Sequence, residues 1–176
     1  EPVRALVRSE ARARALLPAA VELALGDVTE PATLVAACRG CRFVFHAAGI
    51  PEQWASDEGI FDRINRQGTV NVLAACQAQG VERVVYTSTM DVFAAPPGGT
   101  LVETNLDPAD KPTAYERSKQ AAEREAERFL QAGLPIVFVN PAAVYGPSPL
   151  RTGANGLIAR LLAGKVPVLP PGGMPL

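Results

Sequence analysis

The sequence predicts an α/β protein, a doubly wound parallel sheet with helices on both faces. Short β-like runs alternate with helical stretches along the whole chain, and no two strands are joined by a tight hairpin. The interior run RFVFHAAG (42–49) is apolar on both faces, as a buried parallel strand must be. With 176 residues, 48% of them hydrophobic, the chain is long enough for one domain with a sizeable core.

The elements follow in order. VRALVR (3–8) is a first strand, and Ser9 caps a helical stretch, EARARALL. VELALGD (21–27) is a second strand. Thr29 is the expected N-cap of a helix over 31–38, with Glu30 and Pro31 in its first turn. The third strand, 42–49, leads into a long helix from about 57 to 79 that Gly80 ends. VERVVYTS (81–88) is a fourth strand, and 94–112 is loop. A helix over about 113–132 stops at Gly133, before a fifth strand, PIVFVN (135–140). GLIARLLAG is a last helix and VPVL a short last strand. In such sheets ligands sit beyond the carboxyl ends of the strands, so GDV, HAAG, TSTMD and NPAAVYG are where chemistry is expected.

A net charge of −1 gives no basic surplus for nucleic acid. The longest apolar runs, such as LPIVFV (134–139), are too short to span a bilayer. No charged segment followed by a hydrophobic signal core opens the chain, and a cytoplasmic location is expected. Glu1 stands where Met would begin a protein, so an upstream segment is expected. Cys38 and Cys41 have CxxC spacing, but zinc would need further ligands and the single histidine is His46; these thiols and Cys76 are read as ordinary packing in a reducing compartment.

TAYERSKQAAEREAERF (113–129) looks like a solvated helix, yet it sets Tyr115 and Lys119 four residues apart, on one face and about 6 Å apart in rise. A free phenol has a pKa near 10, and bringing it to about 7 takes roughly 4 kcal/mol. An ammonium about 4 Å away supplies that order of energy at an effective dielectric of about 20. Tyr-x3-Lys is therefore a workable acid/base unit. The spacing alone favours a solvated surface helix. The hydroxyls of Thr87, Ser88 and Thr89 at the preceding strand exit favour the chemical reading, because neighbouring strand ends bring them beside the phenol.

With GDV (26–28), FHAAG (45–49), NRQGT (65–69), RVVYTST (83–89), YERSK (115–119) and NPAAVYGP (140–147) in order, the chain resembles an extended short-chain dehydrogenase/reductase of the NAD(P)-dependent epimerase/dehydratase type. The resemblance implies a Rossmann-like sheet over 1–150 and the start of a substrate-binding region over 151–176. It implies Tyr115 as general acid/base, Lys119 as the group that lowers its pKa and bonds the nicotinamide ribose, and Thr89 as the holder of the substrate oxygen. Asp27 and Val28 match residues that contact adenine; Ala47, Ala48 and Gly49 match the stretch passing the cofactor's phosphates and ribose. Asn65 matches a bracing helix residue, and Thr87 with Pro141, Ala142 and Val144 matches the nicotinamide side. Arg8 stands where an acidic residue would favour NAD, which tilts the cofactor towards NADP.

Departures accompany the likeness. No G-x-x-G-x-x-G occurs, VRALVR resembles the family's second strand, and LPPGGMPL stops short of the rest of a substrate lobe. Asn140 stands where many members have Arg, and Phe93-Ala94 replaces a common Tyr-Gly. The chain is thus read as an internal piece of a longer enzyme, expected to bind cofactor weakly by itself, with a strand missing near the middle of its sheet. VRALVRS, Arg8 and the 26–49 stretch resemble dihydroflavonol-reductase-like and 3β-hydroxysteroid-dehydrogenase-like members acting on ketones or secondary alcohols, the favoured class. NPAAVYGP fits nucleotide-sugar epimerases or dehydratases equally well. A non-catalytic relative that senses dinucleotide or binds a partner is the third alternative, and retention of both Tyr115 and Lys119 counts against it. A small-molecule substrate and a homodimer packed through the two long helices are implied. His46, Trp54 and Asp91 are read as structural.

Overall fold

A computed structural model of the chain describes residues 2–94, 98–147 and 153–166. The alternation predicted from sequence is the one observed. β1 (Arg4–Val7) leads through α1 (Glu10–Arg14) to β2 (Glu22–Leu25), and α2 (Pro31–Cys38) to β3 (Phe43–His46). A long helix then starts as α3 (Gly59–Phe61), passes through a π-helical stretch, Asp62–Gln67, and continues as α4 (Gly68–Ala78). β4 (Arg83–Thr87), a 3₁₀ turn (Met90–Val92), α5 (Ala114–Gln131), β5 (Ile136–Val139) and α6 (Gly153–Leu162) complete the order. The expected strand at VPVL lies largely outside the described residues.

Among the described residues, all three strand pairings are parallel. β1 pairs with β2, with Val7 opposite Leu25; β3 pairs with β4, with His46 opposite Tyr86; β4 pairs with β5, with Thr87 opposite Val139. The parallel sheet expected from sequence is present as two hydrogen-bonded ladders, β1-β2 and β3-β4-β5. Two separate ladders are what a missing strand, anticipated by the resemblance, would leave. Phe45 on β3 is 77% exposed.

The core gathers Leu34 of α2, Val72 and Leu73 of α4, Val84 and Tyr86 of β4, and Ala122 and Ala126 of α5. Alternation along β4 explains its share, since Val84 and Tyr86 are buried while Arg83 is exposed. Alanines 122 and 126 lie one turn apart on α5 and bring that helix onto the core, while its Glu- and Arg-rich face stays outside. Gly80 and Gly133, with φ of 65° and 96°, end α4 and α5 in a conformation that side-chain-bearing residues rarely adopt.

Two helix starts add to the sequence reading. Thr29 does not cap α2: the cap position is Glu30, without a side-chain bond, and Thr29 donates its hydroxyl to Asp27 Oδ1 at 2.8 Å. Pro31 at the first helical position has no N–H to satisfy, so the cap is less needed. α5 begins with a reciprocal capping box, Glu116 N–H donating to Thr113 Oγ1 (3.1 Å) and Thr113 N–H to Glu116 Oε2 (3.0 Å).

The chain divides into two compact units, Glu1–Val139 and Asn140–Leu176. In the second, the backbone N–H of Gly146 donates to Asn155 Oδ1 at 3.0 Å. Among the described residues, no helix is long and apolar enough to cross a membrane, and no group of three or more His, Cys, Asp or Glu side chains is placed to hold a metal ion.

Candidate active site

The carboxyl end of β4 is where the predicted catalytic residues meet. Thr87 ends the strand, and Thr89 caps the 3₁₀ turn that follows by accepting from the Asp91 N–H. Thr89 donates its hydroxyl to Asp91 Oδ2 at 2.9 Å and lies near enough to the Tyr115 phenol to pull its pKa down. Asp91, read from sequence as a capping carboxylate, therefore orients the Thr89 hydroxyl. Tyr115 is half-buried in the first turn of α5, its ring edge-on to Phe61 with centroids 6.5 Å apart.

One turn further along α5, Lys119 is 7% exposed and its Nζ donates to the Thr87 carbonyl at 2.9 Å. The ammonium also stands 5.1 Å from the centre of the Tyr86 ring. Burial lowers the Lys119 pKa to about 8, and the Glu123 carboxylate, the next turn along, resists that fall. The phenol moves the other way. Partial burial, then the Asp91 carboxylate, raises the Tyr115 pKa above its ordinary value of 10, with the Thr89 hydrogen bond pulling back. The expected lowering of the phenol by Lys119 is thus not the net balance in the chain as it stands. The lysine proton is engaged by a backbone carbonyl, and desolvation of the phenolate outweighs what stabilises it.

Asn65 braces this region, and more fully than sequence suggested. It lies in the π-helical stretch, 1% exposed. Its amide nitrogen donates to the Ile50 carbonyl (3.2 Å) and to Ser118 Oγ (2.9 Å), and its oxygen accepts from the Ile50 N–H (2.8 Å). Ser118 donates in turn to the Tyr115 carbonyl at 2.6 Å. The loop after β3, the long helix and the turn bearing Tyr115 are joined by one polar chain. A π-helical turn widens the helix locally and is common at functional sites. Ser118 was missed by sequence, though its i+3 spacing from Tyr115 suits a hydroxyl that bonds back to the preceding turn.

Ala47, Ala48 and Gly49 are exposed at the end of β3. A Cβ on Gly49 would stand 3.1 Å from Asn65 Oδ1, so this loop runs close against the brace. His46, at the last position of β3, is buried beneath it: its Nε2 shares a 2.9 Å hydrogen bond with Thr69 Oγ1, and its ring stacks on Tyr86 at 5.7 Å.

The other predicted residues sit at the exits of β1 and β2. Asp27 Oδ1 accepts from the Thr29 N–H (2.9 Å) as well as its hydroxyl, which together hold its carboxyl below the usual range. Arg8 Nε is 3.9 Å from Asp27 Oδ2, with the Arg8 side chain 78% exposed. Val28 is buried against α4, where a Cβ on Gly68 would come within 2.9 Å of it. Pro141, Ala142 and Val144 follow β5 and belong to the second unit, Val144 being exposed.

Parallel strands whose carboxyl ends carry these side chains, with helices between successive strands, define a Rossmann-like α/β protein. The chain belongs to the NAD dependent epimerase/dehydratase family, whose model matches residues 1–173. It is 35% identical over 168 residues to the "Putative dihydroflavonol 4-reductase" of Synechocystis sp., covering 94% of this chain and 49% of that protein. It is 36% identical over 145 residues to 3 beta-hydroxysteroid dehydrogenase type 7 of Mus musculus, covering 73% and 38%. Among solved structures it resembles the Thermus thermophilus UDP-glucose 4-epimerase complex with NAD, at a TM-score of 0.77 and 28% identity, covering 92% of this chain and 55% of that one. The chain spans about half the length of the curated relatives it matches.

Proposed function

We propose that the whole protein is an NAD(P)-dependent oxidoreductase that interconverts a ketone and a secondary alcohol, with Tyr115 moving the proton. The observation that carries this is the convergence at the β4 exit, where the Thr89 hydroxyl acts on the Tyr115 phenol and Lys119 Nζ donates to the Thr87 carbonyl at 2.9 Å. Relatives named "Putative dihydroflavonol 4-reductase" and "3 beta-hydroxysteroid dehydrogenase type 7" support the substrate class.

The side chains fit a dinucleotide at two places. Lys119 has N–H bonds beyond the one to Thr87 with which to hold a ribose hydroxyl. The Asp27–Val28 turn, with Arg8 beside it, offers an anchored carboxylate and an exposed guanidinium for adenosine and a 2′-phosphate, which favours NADP. When bound, the reduced cofactor supplies a hydride to the carbonyl carbon. Tyr115, its pKa raised, holds its proton at neutral pH, the form needed to protonate the carbonyl oxygen during reduction. Thr89, its hydroxyl steered by Asp91, holds that same oxygen. Asn65 and Ser118 fix the Tyr115 backbone. Residues 151–176 would open the substrate-binding region, and a homodimer packed through α4 and α5 belongs to this reading.

A second reading, a nucleotide-sugar epimerase or dehydratase, is favoured by the likeness to UDP-glucose 4-epimerase and by NPAAVYGP. The test is Tyr115→Phe in the full-length protein, assayed with ketones and with UDP-glucose. Turnover falling by about 100-fold or more on one class assigns both role and class. Full activity of the Tyr115→Phe variant on either class removes the acid/base assignment and leaves a dinucleotide-sensing or partner-binding protein.

A further inference from the structure

We propose that Cys38 and Cys76 form a reversible disulfide that ties α2 to α4. Cys38 is the last residue of α2 and Cys76 lies near the end of α4. Their sulfurs are 4.0 Å apart in an S–H···S contact, and both are buried, at 6% and 0% exposure. A disulfide needs about 2 Å between sulfurs. The remaining gap is of the size that side-chain rotation and a small helix shift close. This pair takes no part in the proposed chemistry at the β4 exit.

A buried thiol pair is ordinarily inert apolar packing. Its surroundings set this one apart. Arg4, on β1, extends its guanidinium along the carboxyl end of α2, donating to the carbonyls of Ala37 (2.9 Å) and Arg39 (2.7 Å) and to Cys41 Sγ (3.7 Å). The hydrogen bond from Cys76, and then Arg4, pull the Cys38 pKa down against burial, while Cys76 is pushed up. The S–H···S contact lets one sulfur of the pair carry a thiolate while its neighbour keeps the proton.

The chemistry balances with a peroxide as oxidant. The Cys38 thiolate attacks one peroxide oxygen, forming S–O and breaking O–O; the hydroxide released takes a proton and leaves as water. Cys76 then attacks the Cys38 sulfur, forming S–S and breaking S–O, and its own proton leaves with the departing hydroxide as a second water. Both sulfurs are oxidised and the peroxide is reduced. A dithiol reductant reverses the bond by exchange. The link would join two helices that grip the same turn, since Thr33 of α2 bonds the backbone of Asp27 and Asn71 of α4 donates to the Val28 carbonyl at 2.9 Å.

The test uses the full-length protein, reduced, desalted, treated with hydrogen peroxide, alkylated and mapped by peptide mass. Peptides linked through Cys38 and Cys76, with Cys41 alkylated and all three alkylated again after dithiothreitol, are expected. The oxidised form should melt about 5 °C higher, because the bond closes a long loop. Cys41→Ser should keep the link, and Cys38→Ser and Cys76→Val should each abolish it, the two together guarding against one variant that fails to fold. Alkylation of all three cysteines after peroxide overturns the proposal, as does a link through Cys41 or between molecules. A link that lowers the melting temperature also overturns it, since the bond would then belong to a distorted chain.

Discussion

Lys119 and Thr87 are joined by a 2.9 Å hydrogen bond from the buried ammonium to the strand-end carbonyl. That placement costs stability. Burial lowers the Lys119 pKa from 10.5 to about 8, so the native state disfavours the charged form. Between pH 8 and 10.5 the unfolded chain binds more protons at this position than the native one, and stability rises with pH across that window. The cost, fully present below pH 8, is about 3 kcal/mol. Lys119→Met should therefore gain about 1–2 kcal/mol at pH 7, the lost carbonyl bond offsetting part of the relief, while losing catalysis. Urea unfolding at pH 7 and pH 10 checks this: the advantage should shrink at the higher pH. A variant less stable than the parent at pH 7 would show that Lys119 is held there by net attraction.

Asn65 has the opposite character, since every bond it makes stabilises the fold. Replacing it by Ala leaves the Ile50 N–H, the Ile50 carbonyl and Ser118 Oγ without their shared partner in a buried site. A loss of about 3 kcal/mol in urea unfolding is expected. Stability unchanged within about 0.5 kcal/mol, the scatter of surface substitutions, would mean that water replaces the amide and the brace is dispensable.

Sequence carried most of this fold because alternation, apolar runs and punctuation by Gly80 and Gly133 are local signals, and each expected strand among the described residues contains the observed one. α2 begins and ends where predicted, at Pro31 and Cys38. What stayed hidden depends on partners distant in the chain. The π-helical stretch has no sequence period of its own; it accompanies the placing of Asn65 between Ile50 and Ser118, which lie 15 and 53 residues away. The division of the strands into two ladders is a matter of pairing, which no single strand encodes. Tyr115 and Lys119 were legible through spacing and the threonines before them. The direction of the phenol's shift was not, because it turns on burial and on Asp91.

His46 is the only histidine in these 176 residues, and loss of its signal in His46→Gln identifies its titration. Burial first, and then the Lys119 charge, lower its pKa from 6.5 to about 4. As pH falls from 6.5 towards 4 the unfolded chain takes up a proton that the native one refuses. Stability present above pH 6.5 is therefore lost through that window, by up to about 3 kcal/mol. The imidazole proton shift should titrate below about pH 5 by NMR, and His46→Gln should flatten the pH dependence of unfolding between 4 and 6.5. A midpoint above about pH 6 would mean that the ring is solvated, as at its unperturbed pKa, and that its bond to Thr69 is not held.

Arg8 and Asp27 test the cofactor. The carboxylate is anchored by the Thr29 N–H and hydroxyl, whereas Arg8 approaches it only to 3.9 Å and is largely in solvent. Removing the guanidinium should leave the turn intact and subtract only what Arg8 gives to a ligand. A 2′-phosphate is a charge-assisted partner for that guanidinium, and a 2′-hydroxyl is not. Arg8→Ala in the full-length protein should weaken NADPH binding by about tenfold or more and change NADH binding by less than about twofold. Fluorescence titration of both reduced cofactors measures this directly. Equal weakening of the two would assign Arg8 to holding the turn, and no change in either would return it to the role of a solvated strand-end residue.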